Sequence, residues 1–398
     1  MKNEIKGNIQ TIYLPARVDS SNADEFEKEA MSLIKNDTVK ESVFDASEMT
    51  YISSAGLRVL MKLQKASETP LKIRNVSRDV FDIFDTTGFT TLLDVKKAYR
   101  TIDVTGMKII GKGFFGTVYR IDPETIVKVY SVDDAIPIIE NEIEMARKAF
   151  INGIPTAIAY DIVKVGKDYG SVFELLKAKT FNELVQEDET GLDELLDKYA
   201  ELMKVVHNTH LSAGTFLSYR EKYMGYLDYI RQDLTNAQYD RLKQLLNDMP
   251  EEDTVIHGDI QMKNVMMTAE GPMLIDMETL GLGSPLFEFS GLWVTYKSFS
   301  EDDPGNSMAF LGISLETDYK VIDGTIEKYF SFKNDKERSE TLDKIQLLAV
   351  IRFLYLIEST DLKKDALGKI RIDRSKEHLN DLIDRVKDFN MTPLEAKA

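Results

Sequence analysis

Residues 255–278 read VIHGDIQMKNVMMTAEGPMLIDME, and three oxygen-bearing side chains in this stretch decide how the rest is read. Asp259 and Asn264 stand five residues apart. Asp276 follows a segment patterned as a β-hairpin, with apolar Val265, Met266 and Met267 on one arm and Met273, Leu274 and Ile275 on the other. Gly271 and Pro272 are expected to form the turn between the arms. Moving a γ-phosphoryl group requires a carboxylate that orients the attacking hydroxyl and oxygen ligands for Mg2+ on the phosphates. Asp259 is the candidate for the first task, Asn264 and Asp276 for the second.

Upstream, residues 107–130 read MKIIGKGFFGTVYRIDPETIVKVY, with Gly111, Gly113, Gly116 and Val118 in the order GxGxxGxV and Lys128 in the strand-like run IVKVY. Strands on both sides of the glycines suit a loop that covers phosphates, whereas a dinucleotide fold places a helix after them. Val127 and Val129 alternate with Lys128, which sends the lysine to the opposite face of the sheet. A lysine that contacts phosphates needs a fixed acid, and AIPIIENEIEMARKAF (residues 135–150) offers Glu140, Glu142 and Glu144. Glu142 shares its helical face with Ile138, Ile139, Met145 and Ala146, while Glu144 neighbours Glu140, Arg147 and Lys148. An inward acid requires a partner, which singles out Glu142 for Lys128.

With these motifs in order, residues from about 104 onward resemble the aminoglycoside phosphotransferase and choline kinase group, relatives of the protein kinases. His257, Gly258, Asp259 and Asn264 match the family's HGDxxxxN, and Ile275, Asp276 and Glu278 its IDxE. The resemblance implies an α+β bilobal protein-kinase-like fold with a small lobe at 104–177 and a helical lobe at 178–398, and ATP bound between the lobes. It makes Asp259 the catalytic base, Asn264 and Asp276 the Mg2+ ligands, and Lys128 with Glu142 the nucleotide anchor. Phe173, Glu174, Leu175 and Leu176 resemble the adenine hinge. The family's GDPxxD is replaced by GSPLFE, so Ser284 and Glu288 stand where an aspartate is usual; a glutamate is expected to keep the charge but not the reach. DFG and APE are absent, which favours a small hydroxylated acceptor over a peptide. His207 matches a family histidine and reads equally as a core residue.

The first hundred residues differ. SVFDASEMTYISSAGLRVLMKLQKA (residues 42–66) reads as strand, turn and amphipathic helix carrying Leu57, Leu60, Met61 and Leu63. With Asp45, Ala46, Ser47 and then Ser53, Ser54, Ala55, Gly56 and Leu57, it resembles the α/β STAS domain of anti-sigma factor antagonists, over residues 1–103. The resemblance implies a protein partner of the anti-sigma-factor type and makes Ser54 a candidate phosphorylated switch. Ser53 and Ser54 read equally as helix-cap residues. Ser53 stands where the family commonly has Asp.

The first hundred residues carry 15 Lys plus Arg and 15 Asp plus Glu, so the formal charge of −17 falls entirely on the remainder. This disfavours nucleic acid and anionic membrane as partners and mildly favours a cationic acceptor such as an amino sugar or amino alcohol. The apolar run LLAVIRFLYLIE from Leu347 is too short for a membrane span and carries Arg352. The start, MKNEIKG, lacks a signal peptide's apolar core. With no cysteine, the chain fits a reducing cytoplasm. The leading expectation is an ATP- and Mg2+-dependent phosphotransferase with a STAS module for regulation or partner binding. The alternative is a partner-switching protein whose kinase-like half phosphorylates Ser54 or a related STAS protein.

Overall fold

A row of apolar side chains crosses the first sheet in register. Ile12 stands beside Phe44, Phe44 beside Ile73 and Ile73 beside Val95, and the first three are wholly buried. A computed structural model describes residues 1–34, 39–112, 116–132, 135–250 and 253–391. The chain divides into two compact units, Met1–Asp103 with Ile162–Lys167, and Val104–Asp161 with Asp168–Ala398.

In the first unit, strands β1 (Asn3–Lys6), β2 (Ile9–Tyr13), β4 (Glu41–Asp45), β6 (Lys72–Val76) and β7 (Asp94–Lys97) make one sheet in the order β1-β2-β4-β6-β7. β1 runs antiparallel to β2, and the other pairs are parallel. β3 (Arg17–Val18) and β5 (Tyr51–Ile52) pair separately, and β8 (Arg100–Thr101) ends the segment. Helices α1 (Ala23–Ile34), α2 (Ser54–Ala66) and α3 (Arg78–Thr86) connect the strands, as parallel pairing requires. On α2, Leu57, Leu60 and Leu63 are buried, each worth about 1.5–3 kcal/mol of transfer free energy. The Ser53 hydroxyl caps this helix, accepting from the Ala55 and Gly56 N–H groups at 3.2 and 3.5 Å. Ser54 is its exposed first residue.

In the second unit, β9 (Lys108–Lys112), β10 (Gly116–Arg120), β11 (Thr125–Tyr130) and β13 (Asp168–Glu174) form antiparallel pairs in the order β13-β11-β10-β9. α4 (Ala135–Ile151) and β12 (Ala159–Val165) lie between β11 and β13 in sequence. A helical lobe follows: α5 (Phe181–Glu187), α6 (Leu192–His207), α7 (Tyr219–Tyr229), α8 (Asn236–Asn247), α9 (Pro285–Trp293), α10 (Phe299–Asp302), α11 (Asn306–Leu311), α12 (Leu315–Phe330), α13 (Asp335–Ser359) and α14 (Gly368–Leu382). α13 is its central post, with Leu347, Leu348, Ile351, Leu354 and Ile357 fully buried. Two small sheets carry the central loops. One orders β14 (Lys179–Thr180), β17 (Val265–Thr268) and β18 (Gly271–Leu274), and the other orders β15 (Leu217–Ser218), β19 (Gly281–Leu282) and β16 (Val255–Ile256). A π-helical turn, Val294–Ser298, joins α9 to α10. Among the described residues, no helix is long and apolar enough to cross a membrane.

Candidate active site

Sheet pairing lines up the small-lobe candidates. Val118 on β10 faces Gly111 on β9 and Lys128 on β11, so the three form one row across the sheet. Gly116 opens β10 where a Cβ would lie 1.8 Å from the Val129 carbonyl oxygen, so only glycine fits. Gly113 lies outside the described residues. Val127 and Val129 are buried beneath Lys128. The Lys128 ammonium donates to Glu142 Oε1 at 2.6 Å and to Asp276 Oδ1 at 3.2 Å. Glu142 is 2% exposed, and its second oxygen accepts from the hydroxyls of Tyr130 and Ser171. Burial alone would depress Lys128, but Glu142 and Asp276 outweigh it and hold the ammonium above its usual range. Glu144 pairs instead with Lys148 on the helix surface. At the expected hinge, the Glu174 carboxylate accepts from the Ile158 N–H at 3.2 Å, which commits the side chain to the scaffold. Leu176 follows the end of β13, and its carbonyl accepts from Ala178 N–H at 3.0 Å.

The central loop leaves β16 through His257, Gly258 and Asp259. Gly258 adopts φ +82°, and a Cβ there would lie 1.6 Å from the Tyr219 hydroxyl oxygen. Glu288 fastens this turn from the first turn of α9: its carboxylate accepts from His257 N–H at 2.6 Å and Gly258 N–H at 2.9 Å, and it is 1% exposed. The expectation that glutamate lacks the reach is therefore corrected. Ser284 caps α9, accepting from Leu286 N–H, and this start sets the helix where the longer side chain spans the gap. Burial would raise Glu288, but His207, His257 and the Gly258 N–H outweigh it and hold the carboxyl below its usual value. His207 Nε2 stands 3.6 Å from Glu288 and its Nδ1 2.7 Å from the Tyr329 hydroxyl. With its side chain 1% exposed, His207 is a core residue behind the loop.

Further bonds fix the ends of the loop. Arg352 on α13 donates to the Gly258 carbonyl at 3.0 Å, and Thr279 Oγ1 donates to the His257 carbonyl at 2.7 Å. Tyr296, within the π-helical turn, accepts from Met262 N–H at 3.0 Å. His257 Nδ1 accepts from Asp259 N–H at 3.3 Å while Nε2 lies 3.2 Å from the Ile275 carbonyl, a pair that the Nε2–H tautomer satisfies. The Asp259 carboxylate accepts from Gln261 Nε2 at 3.2 and 3.1 Å and from Asn264 Nδ2 at 3.1 Å.

Asn264 Nδ2 also donates to the Asp259 carbonyl, so the side-chain Oδ1 is the Asn264 atom open to a ligand. The hairpin β17–β18 turns at Ala269 and Glu270, so Gly271 and Pro272 are the first residues of the return strand rather than the turn. Thr268 Oγ1 closes the turn by donating to the Gly271 carbonyl at 2.8 Å and accepting from Glu270 N–H. At the hairpin base, Ile275 N–H donates to the Asn264 carbonyl at 3.0 Å. Asp276 follows with φ +65°, a left-handed conformation uncommon outside glycine. Burial, then the charge of Asp276, pushes Glu278 up to about 7.

The structure thus gathers Lys128, Glu142 and Asp276 into one cluster and Asp259 with Asn264 into another. Sequence reasoning missed Gln261, Tyr219 and the reach of Arg352. An arginine inside an apolar run was the available signal for the last, because a buried guanidinium needs a partner. Among the described residues, no three His, Cys, Asp or Glu are grouped to hold a metal ion unaided.

Residues 106–322 match the family described as Phosphotransferase enzyme family, and residues 1–104 match the STAS domain. Among solved structures, the chain is similar to ADP-bound aminoglycoside phosphotransferase APH(2'')-Ib, with 15% identity over 70% of this chain and 93% of that one and a TM-score of 0.46. It is also similar to APH(2")-IIa in a gentamicin complex, with 13% identity over 77% and 96% and a TM-score of 0.43. A third is aminoglycoside phosphotransferase APH(3'')-Id from Streptomyces rimosus ATCC10970, with 15% identity over 67% and 98% and a TM-score of 0.41. No curated protein matches the chain. Both resemblances drawn from the motifs are borne out: the chain belongs to the phosphotransferase enzyme family, in its bilobal kinase-like fold, and carries an N-terminal STAS domain.

Proposed function

We propose that this chain transfers the γ-phosphoryl group of ATP to a hydroxyl of a small molecule, with Mg2+ held by Asn264 and Asp276. The observation that carries the reading is Lys128 bonded at once to Glu142 and to Asp276, which ties the glycine-bearing sheet to the proposed metal ligand. Gly116, where a Cβ would strike the Val129 carbonyl, leaves the start of β10 without a side chain, which fits a phosphate approached by backbone. Two oxygen donors from Asn264 and Asp276 fit Mg2+, which takes few protein ligands and completes its shell with phosphates and water. Bound there, Mg2+ would supply charge neutralisation on the phosphates.

The chain's own residues would act by positioning. Asp259, held by Gln261 and Asn264, orients the acceptor hydroxyl and takes its proton, and Lys128 anchors the nucleotide phosphates. The hinge at Glu174 and Leu176 would offer backbone groups to the base. The STAS unit would regulate this activity or present the chain to a protein partner. The test is purified protein with labelled Mg-ATP and a panel of amino sugars, sugars, amino alcohols and hydroxy acids, following small-molecule product and protein-bound label. Failure to bind Mg-ATP would remove the proposal.

Exposure of Ser54 at the head of α2 favours a second reading, phosphorylation of that serine by the kinase-like half. A phosphate there would meet the helix N-terminus favourably. Mass spectrometry of the full chain after Mg-ATP decides it: no label at Ser54 excludes the version acting within the chain.

A further inference from the structure

Lys222 lies on α7, one turn beyond Tyr219, and the two together border the central loop. Its ammonium is 3.4 Å from the Tyr219 hydroxyl oxygen and 4.5 Å above that ring. The same hydroxyl donates to the Thr279 carbonyl at 2.8 Å, three residues past Asp276, and occupies the space a Cβ at Gly258 would need. One phenol therefore separates Lys222 from both the Asp259 turn and the strip after Asp276. The lysine is half-buried, and among the described residues it makes no ion pair. Arg352, fastened to the Gly258 carbonyl, also lacks a carboxylate partner among them.

Of the surrounding acids, Glu278 acts on the Lys222 ammonium across space without an ion pair, and the others have engagements of their own. Glu288 is taken by the His257 and Gly258 N–H groups, Asp259 by Gln261 and Asn264, and Asp276 by Lys128. A partly buried cation with carboxylates nearby but none bonded to it is incompletely compensated in the free protein. It is pushed down to about 8 by burial, then by Arg352, and an incoming anion would relieve that penalty. The negative charge of the phosphotransferase half argues for an amine only at long range. Exposed charges are screened over about 8 Å in physiological salt, so the groups bordering Asp259 decide.

We propose that Lys222, backed by Arg352, receives an anionic group of the phosphoryl acceptor, carboxylate or phosphate, beside the hydroxyl that Asp259 orients. The acceptor is then a hydroxy acid or a phosphorylated alcohol, not a simple amino sugar or amino alcohol. This rests on the phosphotransferase reading. It makes Lys222 a specificity-determining residue, with the nucleotide's own phosphates as the competing source of the anion.

The test is competitive labelling of the full chain with trinitrobenzenesulfonate, which attacks neutral amines, with the rate at Lys222 read by peptide mass spectrometry. Inorganic phosphate or acetate, at ionic strength matched with chloride, is expected to slow labelling about tenfold at concentrations well above the dissociation constant. Tetramethylammonium, a cation that does not consume the reagent, is expected to leave the rate unchanged. The protection should persist when Mg-ADP is already bound. No protection by either anion, or protection by tetramethylammonium, overturns the proposal. Full protection by Mg-ADP alone assigns the site to the nucleotide and overturns the acceptor assignment. Calorimetric titration with Mg-ATP is run in parallel: absence of nucleotide binding would sink the phosphotransferase reading, while the labelling result still tells whether Lys222 is an anion site.

Discussion

Replacing Glu288 with alanine removes a buried carboxylate and strands the two backbone N–H groups it accepts from, those of His257 and Gly258. Hydrogen bonds to a charged acceptor contribute about 1.5–3 kcal/mol each, and breaking one side of a buried charged arrangement costs about 3–5 kcal/mol. Glu288→Ala is therefore expected to lower stability by about 3–5 kcal/mol; Glu288→Gln should lose less, because one oxygen remains to accept. Glu288→Asp, one methylene shorter, should fall between them. For a chain of two compact units a local probe is preferable to a single global transition. Trp293, the only tryptophan, sits at the end of α9, so its fluorescence in urea reports on the helix that bears Glu288.

The pH sign follows from the depressed folded value. The contribution of Glu288 is complete above the unfolded value of 4.5 and is lost as acid takes the solution through the lower folded value. The alanine variant should therefore lose the part of the acid-dependent destabilisation that belongs to this carboxyl. Turnover should suffer more than nucleotide affinity, since displacing the Asp259 turn by about 1 Å lowers rate about 100-fold. An alanine variant that unfolds within about 0.5 kcal/mol of the parent and keeps its turnover would refute the claim that this carboxylate holds the loop.

Asp259→Asn is expected to reduce turnover about 100- to 10,000-fold with Mg-ATP affinity close to the parent's, measured by calorimetry and steady-state kinetics. Gly116→Ala places a methyl group against the Val129 carbonyl; stability should fall by about 1–3 kcal/mol and Mg-ATP binding should weaken in parallel. Glu278 is raised from 4.5 to about 7, so the folded protein binds its proton more tightly than the unfolded chain. Stability should consequently decline as pH rises from about 4.5 to about 7, and Glu278→Gln should flatten that slope in urea titrations of the ligand-free protein.

Local arithmetic made much of the site legible. The Asp259, Asn264 and Asp276 spacing needs only a loop and a hairpin, and the choice of Glu142 needs only the helical repeat. The hairpin turn was misplaced because Gly271 and Pro272 are strong turn formers, whereas the Thr268 hydroxyl, paired to Gly271 and Glu270, shifts the turn to residues without such a signature. Glu288 was misjudged because its reach depends on where α9 begins, a tertiary quantity. Arg352, on α13, is 94 residues from the Gly258 carbonyl it meets, and no periodicity points across that interval. The Glu174 side chain bonding back to Ile158 was hidden for the same reason.

The Glu288 clasp also bears on the order in which the protein opens. The acceptor, the loop it grips and the hairpin delivering Asp276 all lie between β16 and the end of α9, so these contacts close short loops and favour a shared cooperative unit. The amide hydrogens of His257 and Gly258, although they belong to a loop, should exchange with solvent deuterium at the slow rate of the α9 backbone and not at the rate of a connecting segment. In Glu288→Ala they should exchange by local fraying while α9 remains protected, which would separate the Asp259 turn from the helix as a unit of motion.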